Sequence, residues 1–182
     1  MLFSPAPPLD VSEWVNSNPQ PLEEHLGKVV VLETFQMLCP GCVSHGLPMA
    51  SRIHRSFDPE QLVVLGVHTV FEHHDVMTPD ALRVFLHEYS IQFPVAVDRP
   101  QAGAIPATME RYQLGGTPST VLIDRAGRIR HSALGAVDDF TIGVRLGGLR
   151  AEEAPEITDT GDDTAPHACT PDGCTPDHRS QP

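Results

Sequence analysis

Apolar residues along the chain fall into runs separated by turn-forming stretches, and the spacing inside each run predicts an element. VVVLETF, residues 29–35, is almost wholly apolar and β-branched, the pattern of a central strand covered on both faces. QLVVLGVHTV, residues 61–70, reads the same way. Between them, VSHGLPMASRIHRSF predicts a helix that Pro48 bends partway, because its ring removes a ladder N–H. Thr78 as cap and Pro79 in the first turn predict a helix over 80–89. FPVAVD predicts a short strand and MERYQL a short helix. STVLID and RIRHSAL form two strands around the DRAG turn, an antiparallel hairpin in which Gly127 takes the awkward dihedral. Asp138 or Asp139 caps a last helix reaching about Leu149.

Parallel strand-helix units followed by a terminal hairpin and helix imply an α/β fold: a mixed central sheet, helices on both faces, and a C-terminal antiparallel hairpin and helix. Three regions follow. Residues 1–21 form a loop-rich extension, with a short helix expected over 11–16 that places Trp14 as a packing anchor. Residues 22–149 form the domain. Residues 150–182 form an acidic tail rich in Pro, Asp, Thr and Gly, expected to be disordered, with one small repeat, CTPDG followed by CTPDH.

At 182 residues and 40% hydrophobic content, the chain supports one cored domain with attached segments. Its net charge of −12 disfavours nucleic acid and anionic membranes as partners. Eight of the acids, against Arg179 alone, fall after Arg150, so the tail carries more than half of that charge. No apolar stretch approaches the ~18 residues of a membrane span. The start, MLFSPAPPLDVSEW, lacks the basic and apolar regions of a secretory signal, so a cytoplasmic setting is expected. In a reducing compartment, cysteine pairs are more often catalytic or metal-binding than structural.

Four cysteines stand as two pairs, Cys39–Cys42 and Cys169–Cys174. A CxxC that follows a buried strand and opens a helix is suited to making a thiolate, because free N–H groups and the helix dipole favour an anion there. Cys39 is the expected nucleophile, and Cys42, one turn on, the resolving thiol. Half of a zinc site is the other reading, but a zinc partner pair is expected within ~15–20 residues. Glu33 is the one charged residue in the strand over 29–35. Burying a carboxylate is costly unless it is paired or protonated, so Glu33 is the candidate proton acceptor and donor for exchange. A strand-end carboxylate reaching water or a lysine is the plainer alternative.

GKVVVLETFQMLCPGC resembles the GKVVVLNFWASWCPPC-type segment of thioredoxin-fold proteins of the TlpA-like and redoxin group, which includes the alkyl hydroperoxide reductase–thiol-specific antioxidant proteins. IPATMERYQLGGTPSTVLIDRAGRI resembles the AYGVRGTPTTFLIDRDGRI-type segment of the same group. The resemblance spans roughly residues 22–149. It implies a thioredoxin-like fold and thiol-disulfide exchange with a disulfide-containing client protein or a small thiol. It also implies that Pro118 is a cis-proline facing the CxxC pair, that Thr117 offers its backbone to an extended client strand, and that Glu33 occupies the buried-acid position. No organic cofactor is required, since the dithiol carries the two electrons. Two positions depart from the pattern: Leu38 stands where the group usually has Trp, and the intervening dipeptide is Pro-Gly.

Two other readings stay open. A thiol-dependent peroxidase would place Thr or Ser three residues before its reactive cysteine, where this chain has Gln36; Thr34 lies five before it and is expected to point elsewhere. Metal binding would draw on His68, His73 and His74, whose plainer reading is a polar loop on the rim of the site, or on His167, Cys169, Cys174 and His178 in the tail. The tail thiols are otherwise incidental, or relay electrons to Cys39.

Overall fold

The structure, a computed structural model, describes residues 3–103 and 105–152. The expectations for the tail beyond residue 152, its disorder and its cysteines included, lie outside the described residues.

Six strands build one sheet: β1 (Val11–Trp14), β2 (Val29–Phe35), β3 (Leu62–His68), β4 (Val95–Asp98), β5 (Ser119–Ile123) and β6 (Ile129–Leu134), in the order β1-β4-β3-β2-β5-β6. β2, β3 and β4 run parallel, while β5 is antiparallel to both β2 and β6. β2 lies between β3 and β5, which is why all seven of its residues are buried and why its sequence is a near-continuous apolar run.

Helices α1 (Leu47–Ser56), α2 (Pro79–Glu88) and α4 (Asp139–Ala151) pack on one face through Leu47, Ala50, Leu82, Leu86, Ile142 and Leu146 against Val29, Val31, Phe35 and Val64. The opposite face, carrying Val30, Leu32, Leu65 and Val121, is covered by Met109 of α3 (Ala107–Arg111), by Tyr112 and by the N-terminal segment through Leu9 and Trp14. Fully burying each such side chain contributes roughly 1.5–3 kcal/mol. Trp14 is a packing anchor, as expected.

Expected caps form. Thr78 Oγ1 accepts the Ala81 N–H at 3.3 Å, and Asp138 Oδ1 accepts the Thr141 N–H at 2.9 Å. Gly127 closes the β5–β6 hairpin at φ +73°, the left-handed region that a Cβ disfavours.

Two elements differ from the sequence expectation. Residues 11–14 form an edge strand instead of a helix, because Asn16 clamps the segment to the edge of β4. Its Nδ2 donates to Phe93 O at 2.9 Å and its Oδ1 accepts the Val95 N–H at 2.8 Å. The helix after the cysteines is not simply bent at Pro48. It opens as a π-helix, Cys42–Gly46, and continues as α1 with Pro48 in its first turn. Pro48 has no N–H for the Ser44 carbonyl, so the ladder can take the wider repeat there without losing a bond.

Candidate active site

Cys39 follows the end of β2 by four residues, and Pro40 and Gly41 begin the helical turn after it. The Val43 N–H donates to Cys39 O at 3.1 Å, the first bond of that turn. Two contacts fix the Cys39 sulfur. The Cys42 N–H donates to Cys39 Sγ at 3.3 Å, and the Sγ–H donates to Thr117 O at 3.4 Å. The two contacts hold the sulfur in one place at the start of the helical turn, between the Cys42 N–H and the Thr117 carbonyl. Cys39 is partly exposed and Cys42 is fully buried, so a disulfide arriving from solvent meets Cys39.

Burial, and then the neighbouring Cys39 sulfur, push the Cys42 thiol up to about 12. At neutral pH it is therefore a thiol, and it becomes a nucleophile only when something takes its proton.

The Thr117–Pro118 peptide is cis and packs against the helix that carries the cysteines; Pro118 Cδ lies 3.2 Å from where a Cβ on Gly41 would stand. Behind it sits Glu33, with none of its surface exposed. Its Oε2 accepts the Thr120 hydroxyl at 2.7 Å, while Oε1 is buried with no protein partner among the described residues. Burial pushes the Glu33 carboxyl up to about 8, against a smaller opposing effect of the Thr120 hydrogen bond. The alternative in which Glu33 reaches water or a lysine does not hold: its register partners are Gly66 on β3 and Thr120 on β5, both inside the sheet.

The structure thus gathers all five expected residues, Glu33, Cys39, Cys42, Thr117 and Pro118, at the C-terminal end of β2. It adds two that the sequence reading passed over. Thr120 faces Glu33 across the β2–β5 pair, and the signal for it was the antiparallel register of the hairpin. Gly46 brings the helix backbone against the carboxylate, so that a Cβ there would overlap Glu33 Oε1 and come within 2.9 Å of Pro118 Cβ. No local pattern marks that glycine.

The histidines are distributed differently from the expected polar rim. His68 is buried at the end of β3 with its ring 5.3 Å from that of Phe35, and burial pulls its pKa down to about 4, so it is neutral. It belongs to the core because the strand, not the following loop, contains it. His73 and His74 are exposed in that loop. Among the described residues, no group of three or more His, Cys, Asp or Glu side chains is placed to hold a metal ion. The described helices include none long and apolar enough to cross a membrane.

Comparison with known proteins agrees with this geometry. The AhpC/TSA family model matches residues 4–132. A thiol-disulfide isomerase from Corynebacterium glutamicum is 58% identical in sequence, with a TM-score of 0.79 over 81% of this chain and 98% of that one. A crystal structure of a thioredoxin-like superfamily protein is 50% identical, with a TM-score of 0.82 over 84% of this chain and 99% of that one. NHL repeat-containing protein 2 from Gallus gallus is 30% identical over 127 residues, which are 68% of this chain and 16% of that protein. The match therefore spans only about a sixth of that relative's length. Fold, paired cysteines and family match agree: the chain has the thioredoxin-like fold and belongs to the AhpC/TSA family of redoxins.

Proposed function

We propose that this redoxin exchanges electrons with disulfide-containing clients through the Cys39–Cys42 pair. The observation that carries the reading is the asymmetry of the two sulfurs. Cys39 Sγ is reachable and receives a backbone N–H, whereas Cys42 is buried and protonated, and Gly46, one turn along its helix, lies against the buried Glu33 carboxyl. In the reducing direction, the Cys39 thiolate attacks a client disulfide and one client sulfur leaves as thiolate. Cys42 then gives its proton to Glu33, in its ionised form, and attacks Cys39 Sγ. The mixed disulfide breaks, the second client sulfur leaves, and Cys39–Cys42 is left oxidised. Thr117, whose carbonyl already touches Cys39, sits where a client backbone would align beside the cis-proline.

The test is a redox titration and an insulin-reduction assay on wild type beside Cys39→Ser. Wild type is expected to titrate as a two-electron dithiol between about −120 and −300 mV and to reduce insulin, with both properties lost in the variant. Absence of a dithiol transition in wild type would end the reading.

A further inference from the structure

A buried carboxyl can pass a proton during exchange only if one of its oxygens faces the donor and its ionised form is not too costly to make. In Glu33 the two oxygens are held differently. Oε2 accepts the Thr120 hydroxyl at 2.7 Å. Oε1 has no partner among the described residues, and a Cβ on Gly46 would overlap it. Gly46 closes the helical turn that opens at Cys42, so Oε1 is the oxygen turned toward the helix that carries the resolving thiol. The sheet register fixes this arrangement. Thr120 stands opposite Glu33 in the antiparallel β2–β5 pair, so both side chains leave the same face of the sheet. Thr120 is buried, and its β-branched side chain has little freedom at χ1, which keeps the hydroxyl aimed at Oε2.

The other sides of the carboxyl offer nothing that could replace this contact. Its register partner on β3 is Gly66. His68, two residues on and on the same face of β3, is neutral and packs its ring against Phe35. From the loop before β5 comes Pro118, and from the helix come Gly46 and the Cys42 thiol. His45, the other titratable group of that turn, is exposed and holds the Ser44 hydroxyl. No lysine or arginine acts on Glu33: burial and the Thr120 hydrogen bond are the two influences on its ionisation. Burial favours the neutral acid, so among the described residues Thr120 is the one group that favours the carboxylate.

We propose that Thr120 is a positioning residue for the resolution step: its hydroxyl holds Oε2, leaves Oε1 to receive the Cys42 proton, and favours the carboxylate that can receive it. The inference rests on the exchange chemistry proposed above. In that step the Cys42 S–H bond breaks and an Oε1–H bond forms. The Cys42 sulfur attacks Cys39 Sγ, the bond between Cys39 and the client breaks, and the client sulfur leaves as thiolate. The two protein sulfurs are thereby oxidised to a disulfide and the client disulfide is reduced. Thr120 donates one hydrogen bond before the step, and that bond is stronger while its acceptor is charged. An apolar isostere at 120 would leave both oxygens of the carboxyl unpaired, so Glu33 would stay neutral over a pH range in which it ionises in the wild type.

Dithiobis(nitrobenzoate) isolates the step in the full-length chain carrying Cys169→Ser and Cys174→Ser, which leaves Cys39 and Cys42 as its thiols. Attack by Cys39 releases one thionitrobenzoate at a rate set by reagent concentration. Attack by Cys42 on the resulting adduct releases a second, at a rate independent of it. Thr120→Val should leave the first phase unchanged across pH. Its second phase should be about tenfold slower at pH 7, with the break displaced upward by about one pH unit and the deficit recovered above it, since a hydrogen bond to a charged acceptor is worth at least that much. Thr120→Ser, which keeps the hydroxyl, should restore the wild-type profile. Thr120→Ala beside Thr120→Ser gives the same contrast of one hydroxyl if the valine variant does not fold. A second phase in Thr120→Val that matches wild type, a deficit equal at every pH, or a serine variant as slow as the valine one would each overturn the proposal. Those outcomes leave the exchange reading standing, provided that wild type releases the second thionitrobenzoate. If wild type releases only the first, Cys42 does not resolve, and the exchange reading fails together with this inference.

Discussion

Gly46 of the π-helix lies directly against Glu33 of β2: a Cβ at position 46 would overlap Glu33 Oε1 and stand 2.9 Å from Pro118 Cβ. The helix bearing the cysteines can approach the buried carboxyl and the cis-proline only because this residue has no side chain. Glu33 cannot swing clear, since Thr120 holds Oε2 at 2.7 Å, and the proline ring cannot bend away.

Gly46→Ala accordingly sets two effects against each other. Replacing glycine with alanine inside a helix gains up to ~1 kcal/mol of propensity. Overpacking at a rigid contact costs ~1–3 kcal/mol. The variant is expected to be less stable by about 1–2 kcal/mol in urea melts and slower in insulin reduction, since the carboxyl is displaced. Equal or greater stability would show that the contact is not made.

Glu33 gives the protein a pH dependence of definite sign. Its carboxyl rises from an ordinary 4.5 to about 8 on folding. Between those values the unfolded chain is ionised at this residue and the folded chain is not, so each pH unit costs up to ~1.4 kcal/mol of stability. The contribution is complete below about pH 4.5, is lost as pH rises, and levels off above about 8. Glu33→Gln removes the slope and is expected to be the more stable form at pH 8. Resolution by Cys42 behaves oppositely. It needs the ionised carboxylate, so its rate in wild type rises to about pH 8 and flattens, and the variant loses that break. Denaturant midpoints and stopped-flow exchange rates from pH 5 to 9 check both.

How far these features could be read beforehand depends on where their causes lie in the chain. The strand over 29–35 was legible because burial on both faces imposes a continuous apolar run, and an acid inside that run is conspicuous. Thr78 and Asp138 were legible as caps because a cap is a local hydrogen bond. The edge strand over 11–14 was not. Its conformation is set by Asn16 gripping the backbone at Phe93 and Val95, nearly eighty positions away, and four residues carry too little pattern to announce it. Gly46 escaped for the same reason, since what it must avoid, Glu33 on β2 and Pro118 just before β5, lies far away in sequence. His68 fell inside the strand over 61–70 yet was grouped with His73 and His74 as a polar rim, because the sequence does not show which face of the strand end is covered.

The peroxidase alternative makes a contrary prediction that the structure disfavours. Thr34 Oγ1 donates to Ser119 O at 3.3 Å inside the sheet, and Gln36 Oε1 accepts the Phe71 N–H at 3.3 Å. Neither group is directed at Cys39 by these bonds, so no hydroxyl from either position is offered to a peroxide there. With a thiol donor, wild type is expected to consume hydrogen peroxide no faster than an ordinary protein thiol. Turnover at thousands of times that rate would favour the peroxidase.

Leu134 carries the last prediction, which separates client docking from chemistry. It is 62% exposed at the end of β6, yet its methyl carbons approach within 3.3 and 3.7 Å the places where side chains on Gly116 and Gly115 would begin. The next residue, Gly135, donates its N–H to Pro118 O at 2.8 Å, so Leu134 is fixed beside the Thr117–Pro118 loop. Leu38, which precedes Cys39 in the chain, is 55% exposed in place of the usual tryptophan. A client strand laid along Thr117 would cover both. Covering the exposed part of one leucine is worth ~1–2 kcal/mol, a factor of about 5–30 in affinity. Leu134→Asp is therefore expected to raise KM for a protein disulfide by at least that factor with kcat little changed, and to leave the rate with a small aromatic disulfide unaltered, because that substrate touches only Cys39. Equal losses on both substrates would place Leu134 in the support of the loop and remove it from the docking surface.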